Sequence, residues 1–189
     1  MALWMEQIYT HAGKKGASGD AVWSPDGTML ALASADGTIL LWERESGQLV
    51  QQLSGHQKAV TTLAWSPDGE RLASGSLDTT IKRWHVASGF CQQVLSGHQK
   101  AVTTLAWSPD GEKLASGSRD GTIRIWNAFN QETLAVILIG KSIAKIAWSP
   151  DSEHLLSIAQ DRSMTIWKHK SAPDESLEVK HASAPLKPQ

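Results

Sequence analysis

The tetrapeptide Trp-Ser-Pro-Asp occurs four times, beginning at Trp23, Trp65, Trp107 and Trp148, at intervals of 42, 42 and 41 residues. A second tryptophan keeps the same beat at Trp42, Trp84, Trp126 and Trp167, each six residues after an aspartate: Asp36, Asp78, Asp120 and Asp161. A period of this length marks a repeat array, in which one supersecondary unit cannot bury its apolar face until neighbours stack on it. Function in such an array belongs to the surfaces and edges of the units.

One repeat, Gly55 to Trp84, shows what the unit is. AVTTLAW is rich in β-branched and apolar residues and reads as a strand. SPDG follows, with Pro67 suited to position i+1 and Gly69 to i+3 of a type I turn. RLASGS resumes the extended pattern, the Asp78 stretch supplies a second turn, and TIKRW is a third strand. GQLVQQL, ahead of the Gly-His pair, gives the outermost strand of the preceding unit. Turn residues recur so often that no amphipathic helical window survives. The expected fold is all-β: a β-propeller of four four-stranded antiparallel blades, near 13–53, 55–95, 97–138 and 140–180. The array is expected over residues 1–170, with 171–189 forming a closing strand and a mobile tail.

These motifs resemble the WD-repeat, or β-transducin repeat, family over roughly Met5 to Trp167. The resemblance rests on Gly55-His56 and Gly97-His98, on the SPDG turns and on the Asp-to-Trp spacing. The closing pairs, Trp42-Glu43, Trp84-His85, Trp126-Asn127 and Trp167-Lys168, lack the family's aspartate in every repeat. The resemblance implies a platform for protein or peptide partners, without chemistry or cofactors of its own. It also implies a buried chain in which His56 donates to Asp78 and bonds Ser74, while Ser74 accepts the indole N–H of Trp84. His98, Ser116, Asp120 and Trp126 repeat that set. Repeat four keeps Ser157, Asp161 and Trp167 but has Lys141 for histidine; repeat one has Leu32 for serine and Lys14 for histidine. The outer repeats are therefore expected to be the less rigid ones.

A serine, a histidine and an aspartate are also the ingredients of a hydrolase triad. Ser74 nonetheless lies within a strand pattern and not on a strained elbow, and the set occurs twice where an enzyme needs one site. Gly140-Lys141-Ser142 resembles the tail of a phosphate-binding loop, but Ala135 stands where its first glycine belongs. GKKGASG, residues 13–19, reads as an inter-blade loop, and the four Ser-Pro pairs as turns. The seven histidines show no metal-ligand spacing. No catalytic, cofactor or metal residue is expected.

A net charge of −1 gives no electrostatic case for nucleic acid or an anionic membrane surface. The longest apolar run, Leu134 to Ile139, is far short of the roughly 20 residues that span a bilayer. No export signal is visible, and the lone Cys91 suits a reducing, cytoplasmic setting.

In the family, partners dock on the narrow face, near the residues after the Gly-His pair and before the turn aspartate. Those positions here include Thr61, Leu77, Thr103, Arg119 and Gln160, with Ala17, Gly19, Ala35, Ala59, Ala101, Ser142 and Ala144 as small neighbours. Arg119 is the charged one. WD-type wedges suit rings larger than four, so four of them leave an open half-ring unless a small ring closes. Met5–Thr10 and Glu175–Lys180 are the segments expected to cover the ends. Three readings follow: a non-enzymatic scaffold pairing as a homodimer into an eight-bladed ring, a regulatory fragment or module docking on another chain's propeller blades or enzyme domain, and, last, a propeller hydrolase.

Overall fold

The structure, a computed structural model, describes residues 20–168. The segments expected to cover the ends, Met5–Thr10 and Glu175–Lys180, and the residues Lys14, Ala17 and Gly19 lie outside the described residues. Blade one comprises β1 (Ala21–Trp23), β2 (Met29–Ala33), β3 (Thr38–Glu43) and β4 (Leu49–Ser54). Blade two comprises β5 (Val60–Trp65), β6 (Arg71–Ser76), β7 (Ile81–His85) and β8 (Cys91–Leu95). Blade three comprises β9 (Val102–Trp107), β10 (Lys113–Ser118), β11 (Thr122–Asn127) and β12 (Thr133–Leu138). Blade four has β13 (Ile143–Trp148), β14 (His154–Ala159) and β15 (Met164–Lys168) among the described residues. Within each blade the strands pair antiparallel in chain order, so every blade is a meander. The sheets form a partial ring, and none closes on itself.

Register repeats with the sequence. Leu30, Leu72, Leu114 and Leu155 each lie between the two tryptophans of their own blade, as in the rows Trp65↔Leu72 and Leu72↔Trp84. The hairpins that set this register are the expected turns. Gly69 N–H donates to the Ser66 carbonyl at 2.9 Å, and Gly111 to Ser108 at 2.9 Å. In each turn the serine hydroxyl bonds the aspartate two residues on and also receives the N–H that opens the next strand, as Arg71 N to Ser66 Oγ at 2.9 Å. Blade four places Ser152 where the others have glycine, and holds it at φ 60° by the same bond to Ser149.

Alternation along the third strands sorts side chains between neighbours. Ile39 and Leu41 of β3 face blade two, whose Trp84 packs back on them in a shared buried cluster. Ile81 and Ala73 do the same with Trp126 of blade three, and Ile123 and Ile125 with Trp167 of blade four. The hydrophobic core is therefore three seams between blades, not the interior of any one blade. Close approach across a seam demands glycine at two positions. A side chain on Gly75 would meet Val102 Cγ1 at 2.6 Å, and one on Gly117 would meet Ile143 Cγ2 at 2.5 Å.

Candidate interaction surface and the network that frames it

In blade two, His56 Nδ1 lies 2.8 Å from Asp78 Oδ2 and Nε2 lies 2.8 Å from Ser74 Oγ. Trp84 Nε1 donates to the same Ser74 oxygen at 2.8 Å. Blade three repeats this: His98 to Asp120 at 3.0 Å, His98 to Ser116 at 2.8 Å, and Trp126 Nε1 to Ser116 at 2.8 Å. The network joins the loop before the first strand to strands two and three and to the second turn. Each member needs the others, because a buried polar atom without a partner is costly.

Electrostatics fix the proton positions. Burial pushes both histidines below their usual value, despite the aspartate beside each. The imidazole is thus neutral at pH 7, with Nδ1–H donating to the carboxylate and Nε2 accepting from the serine hydroxyl. Burial would by itself raise the Asp78 carboxyl. Hydrogen bonds from Thr80 Oγ1, the Gln57 and Thr80 N–H groups and His56 more than offset that and hold it at about 2. Asp120 is held at about 2 in the same way by Thr122, Gln99 and His98.

The Ser–His–Asp distances are those of a hydrolase triad, but the surroundings are not. Ser74 and Ser116 are 0% exposed, and each hydroxyl oxygen already receives an indole N–H. No substrate carbonyl can approach an oxygen placed this way, so this constellation cannot act as a nucleophile.

The outer blades keep parts of the network. Trp167 Nε1 donates to Ser157 Oγ at 2.9 Å, while Lys141, two residues before β13 where His98 stands four before β9, bonds Asp161 at 2.5 Å on the surface. That hydrogen bond from Lys141, with those from Ser163, draws Asp161 far below the usual carboxylate range. In blade one, Leu32 occupies the register position of Ser74, opposite Leu40 of β3, and offers no hydroxyl.

The second strand of each blade leads straight to the rim. Leu77 N–H donates to the Ala59 carbonyl at 3.0 Å, Arg119 to Ala101 at 2.9 Å, and Gln160 to Ser142 at 2.9 Å. Three exposed side chains are thus presented at one repeated backbone position, one on each of blades two, three and four. Thr61 and Thr103, expected as rim groups too, point elsewhere. Each hydroxyl lies between its own sheet and the next blade, Thr61 on the Val102 carbonyl at 2.5 Å and Thr103 on the Ile143 carbonyl at 2.6 Å. They fasten seams, and leave Leu77, Arg119 and Gln160 as the exposed members of the candidate set.

Sequence reasoning passed over Arg83. It is 3% exposed, and its guanidinium donates to the Asn127, Ala128 and Asn130 carbonyls of blade three. Burial, with the nearby Arg71 charge, lowers its pKa to about 10, and it stays protonated at pH 7. The available signal was its substitution by Ile125 in an otherwise near-identical repeat. Asp151, Glu153 and His154 bring ligand atoms within 4.8 Å of one another. The Asp151 carboxylate, however, already accepts from Ser149 Oγ and Glu153 N–H, and Asp151 and Glu153 are exposed.

Repeated four-stranded meanders, tryptophans in matching registers and a duplicated His–Ser–Trp–Asp frame decide the relationship. The family model described as the WDR19 first beta-propeller matches residues 20–187. The chain belongs to that family. No curated protein matches the chain as a relative. WD-repeat propellers are generally non-catalytic and generally serve as platforms for protein partners. A frame that spends its polar residues on internal bonds, and shows its variable ones at the rim, agrees with such a role.

Proposed function

We propose that this chain is a non-enzymatic protein–protein interaction scaffold, acting in the cytoplasm on protein or peptide partners and not on nucleic acid or membrane. In this reading two copies pair, half-ring to half-ring, as an eight-bladed homodimer. The observation that carries the scaffold role is the rim. Blades two, three and four hold Leu77, Arg119 and Gln160 by the same backbone bond, on a frame stiffened by the buried network. Blades two and three agree at 27 of 32 positions from Leu53 to Trp84 against Leu95 to Trp126, and Leu77/Arg119 is one of the five differences. Their rims therefore differ chiefly by one apolar and one cationic side chain. Arg119 suits a carboxylate, which its planar fork can grip through two hydrogen bonds. Small neighbours such as Ala35 and Ala59 let an extended peptide backbone come close.

Selection of binders from a displayed random-peptide library tests this. Enriched peptides should carry an acidic residue, and Arg119→Glu should weaken a purified binder roughly tenfold or more, as loss of a charge-assisted hydrogen bond implies. Equal binding by the variant places the partner site elsewhere on the molecule.

A further inference from the structure

The three internal seams repeat one set of contacts, and the two ends of the array carry its two halves. On the side facing the next blade, Ile39, Leu41, Ile81, Arg83, Ile123 and Ile125 are between 0% and 8% exposed. At the same register in blade four, Met164 and Ile166 are 63% and 59% exposed. On the side facing the preceding blade, Trp65, Trp107 and Trp148 donate their indole N–H to the Val22, Ala64 and Ala106 carbonyls at 3.0–3.1 Å. Trp23 of blade one is 54% exposed, and Ala147 of blade four is the next carbonyl in that series.

Two departures from the repeat show what fits between these ends. Gly75 and Gly117 leave room for Val102 and Ile143 of the following blade, whereas the equivalent residue of blade four is Ile158. Blade four thus carries a large side chain where the internal seams have glycine. The innermost strands add a charge. Asp20 of blade one accepts from Leu63 N–H at 3.2 Å and lies 3.4 Å from the Thr62 hydroxyl, so this position meets its counterpart in the next blade. The series runs Asp20, Thr62, Thr104, Lys145, and Lys145 is exposed. Its counterpart in a following blade one is an aspartate.

We infer that the open face of blade four receives blade one of a second copy, with Lys145 against Asp20 and the Trp23 indole on the Ala147 carbonyl. The inference rests on the pairing proposed above and deepens it by fixing the register. Two-fold symmetry forms both seams at once, and eight blades fall within the roughly 4–8 that propellers carry. A second copy fits better than an unrelated chain because the cation on one end face and the anion on the other belong to this one sequence.

Light scattering on the full chain and two charge variants tests the register. Lys145→Glu sets two carboxylates against each other in both seams, and Asp20→Lys sets two ammonium groups there. Each variant alone should dimerise at least about tenfold more weakly than the native chain, as like charges across an interface do. An equimolar mixture restores an opposite-charge pair in both seams and should recover the dimer. Ile166→Asp, at a site already exposed in the single chain, should also weaken it while the chain still folds. A native dimer that ignores the two charge variants, or a mixture that fails to recover, overturns the register but leaves pairing standing. A native chain that is monomeric at micromolar concentration overturns pairing itself, and this register with it.

Discussion

Blades two and three are built alike, and blades one and four each lack something that the inner pair has. The inner blades carry the complete histidine–serine–tryptophan–aspartate chain, with Trp84 and Trp126 each 1% exposed. Blade one has Leu32 in the serine's place, and in blade four Asp161 is bonded at the surface by Lys141 and not by a buried histidine. The difference follows position in the array. An inner blade has a neighbour on each side and can bury a polar chain fully. An end blade shows one face, and there the sequence departs from the repeat with Lys145 and Ile158 and leaves Trp23, Met164 and Ile166 exposed. Rigid centre and divergent ends are two consequences of one architecture.

The sharpest way to break this comparison is to empty an inner blade and an outer one in turn. Trp84→Ala should cost about 3–5 kcal/mol, a large share of the roughly 5–15 kcal/mol that holds a domain folded. Trp42→Ala, at a half-buried site, should cost clearly less, and equal losses in chemical denaturation would erase the distinction between centre and end.

Removing a link of the chain comes next. His56→Ala leaves Asp78 and Ser74 short of a buried partner and should cost about 1–3 kcal/mol. Lys141→Ala, in blade four, removes only an exposed contact and should barely move the melting temperature.

Acid should act through the same residues. His56 and His98 have folded-state pKa values below the ordinary 6.5, so they bind protons less readily folded than unfolded. Their contribution is complete above about pH 6.5 and is lost as pH falls through their lowered folded values. Asp78 and Asp120, at about 2 against an ordinary 3.8, add a second loss between about pH 3.8 and 2. His56→Gln with His98→Gln should flatten the upper limb in urea titrations run at several pH values and leave the lower one. An unchanged upper limb would remove the histidines from the account.

Much of this was legible in the residues. The period gave the strand order, SPDG gave the hairpins, and the Asp-to-Trp spacing gave both ends of the buried chain. The Thr61 and Thr103 hydroxyls were not legible as seam fasteners. A threonine beside a loop looks the same whether it faces solvent or a neighbouring blade, and only the packing angle decides. Arg83 escaped for a related reason, since a buried guanidinium satisfied by carbonyls has no carboxylate partner to betray it in sequence. The ends escaped in part: open faces follow from counting blades, but the Lys145–Asp20 correspondence needs the register of strand on strand.

The smallest expected effect is at the rim. Arg119→Glu should leave stability within about 0.5 kcal/mol, as surface substitutions usually do, while altering peptide binding. A marked loss of stability would turn Arg119 from a presented group into a structural one.

The central claim is that the end faces are seams awaiting a second copy, and solution mass tests it most directly. Sedimentation equilibrium across the micromolar range should give one species at twice the 20.5 kDa of the chain, dissociating only on dilution. A single 20.5 kDa species throughout that range would contradict it.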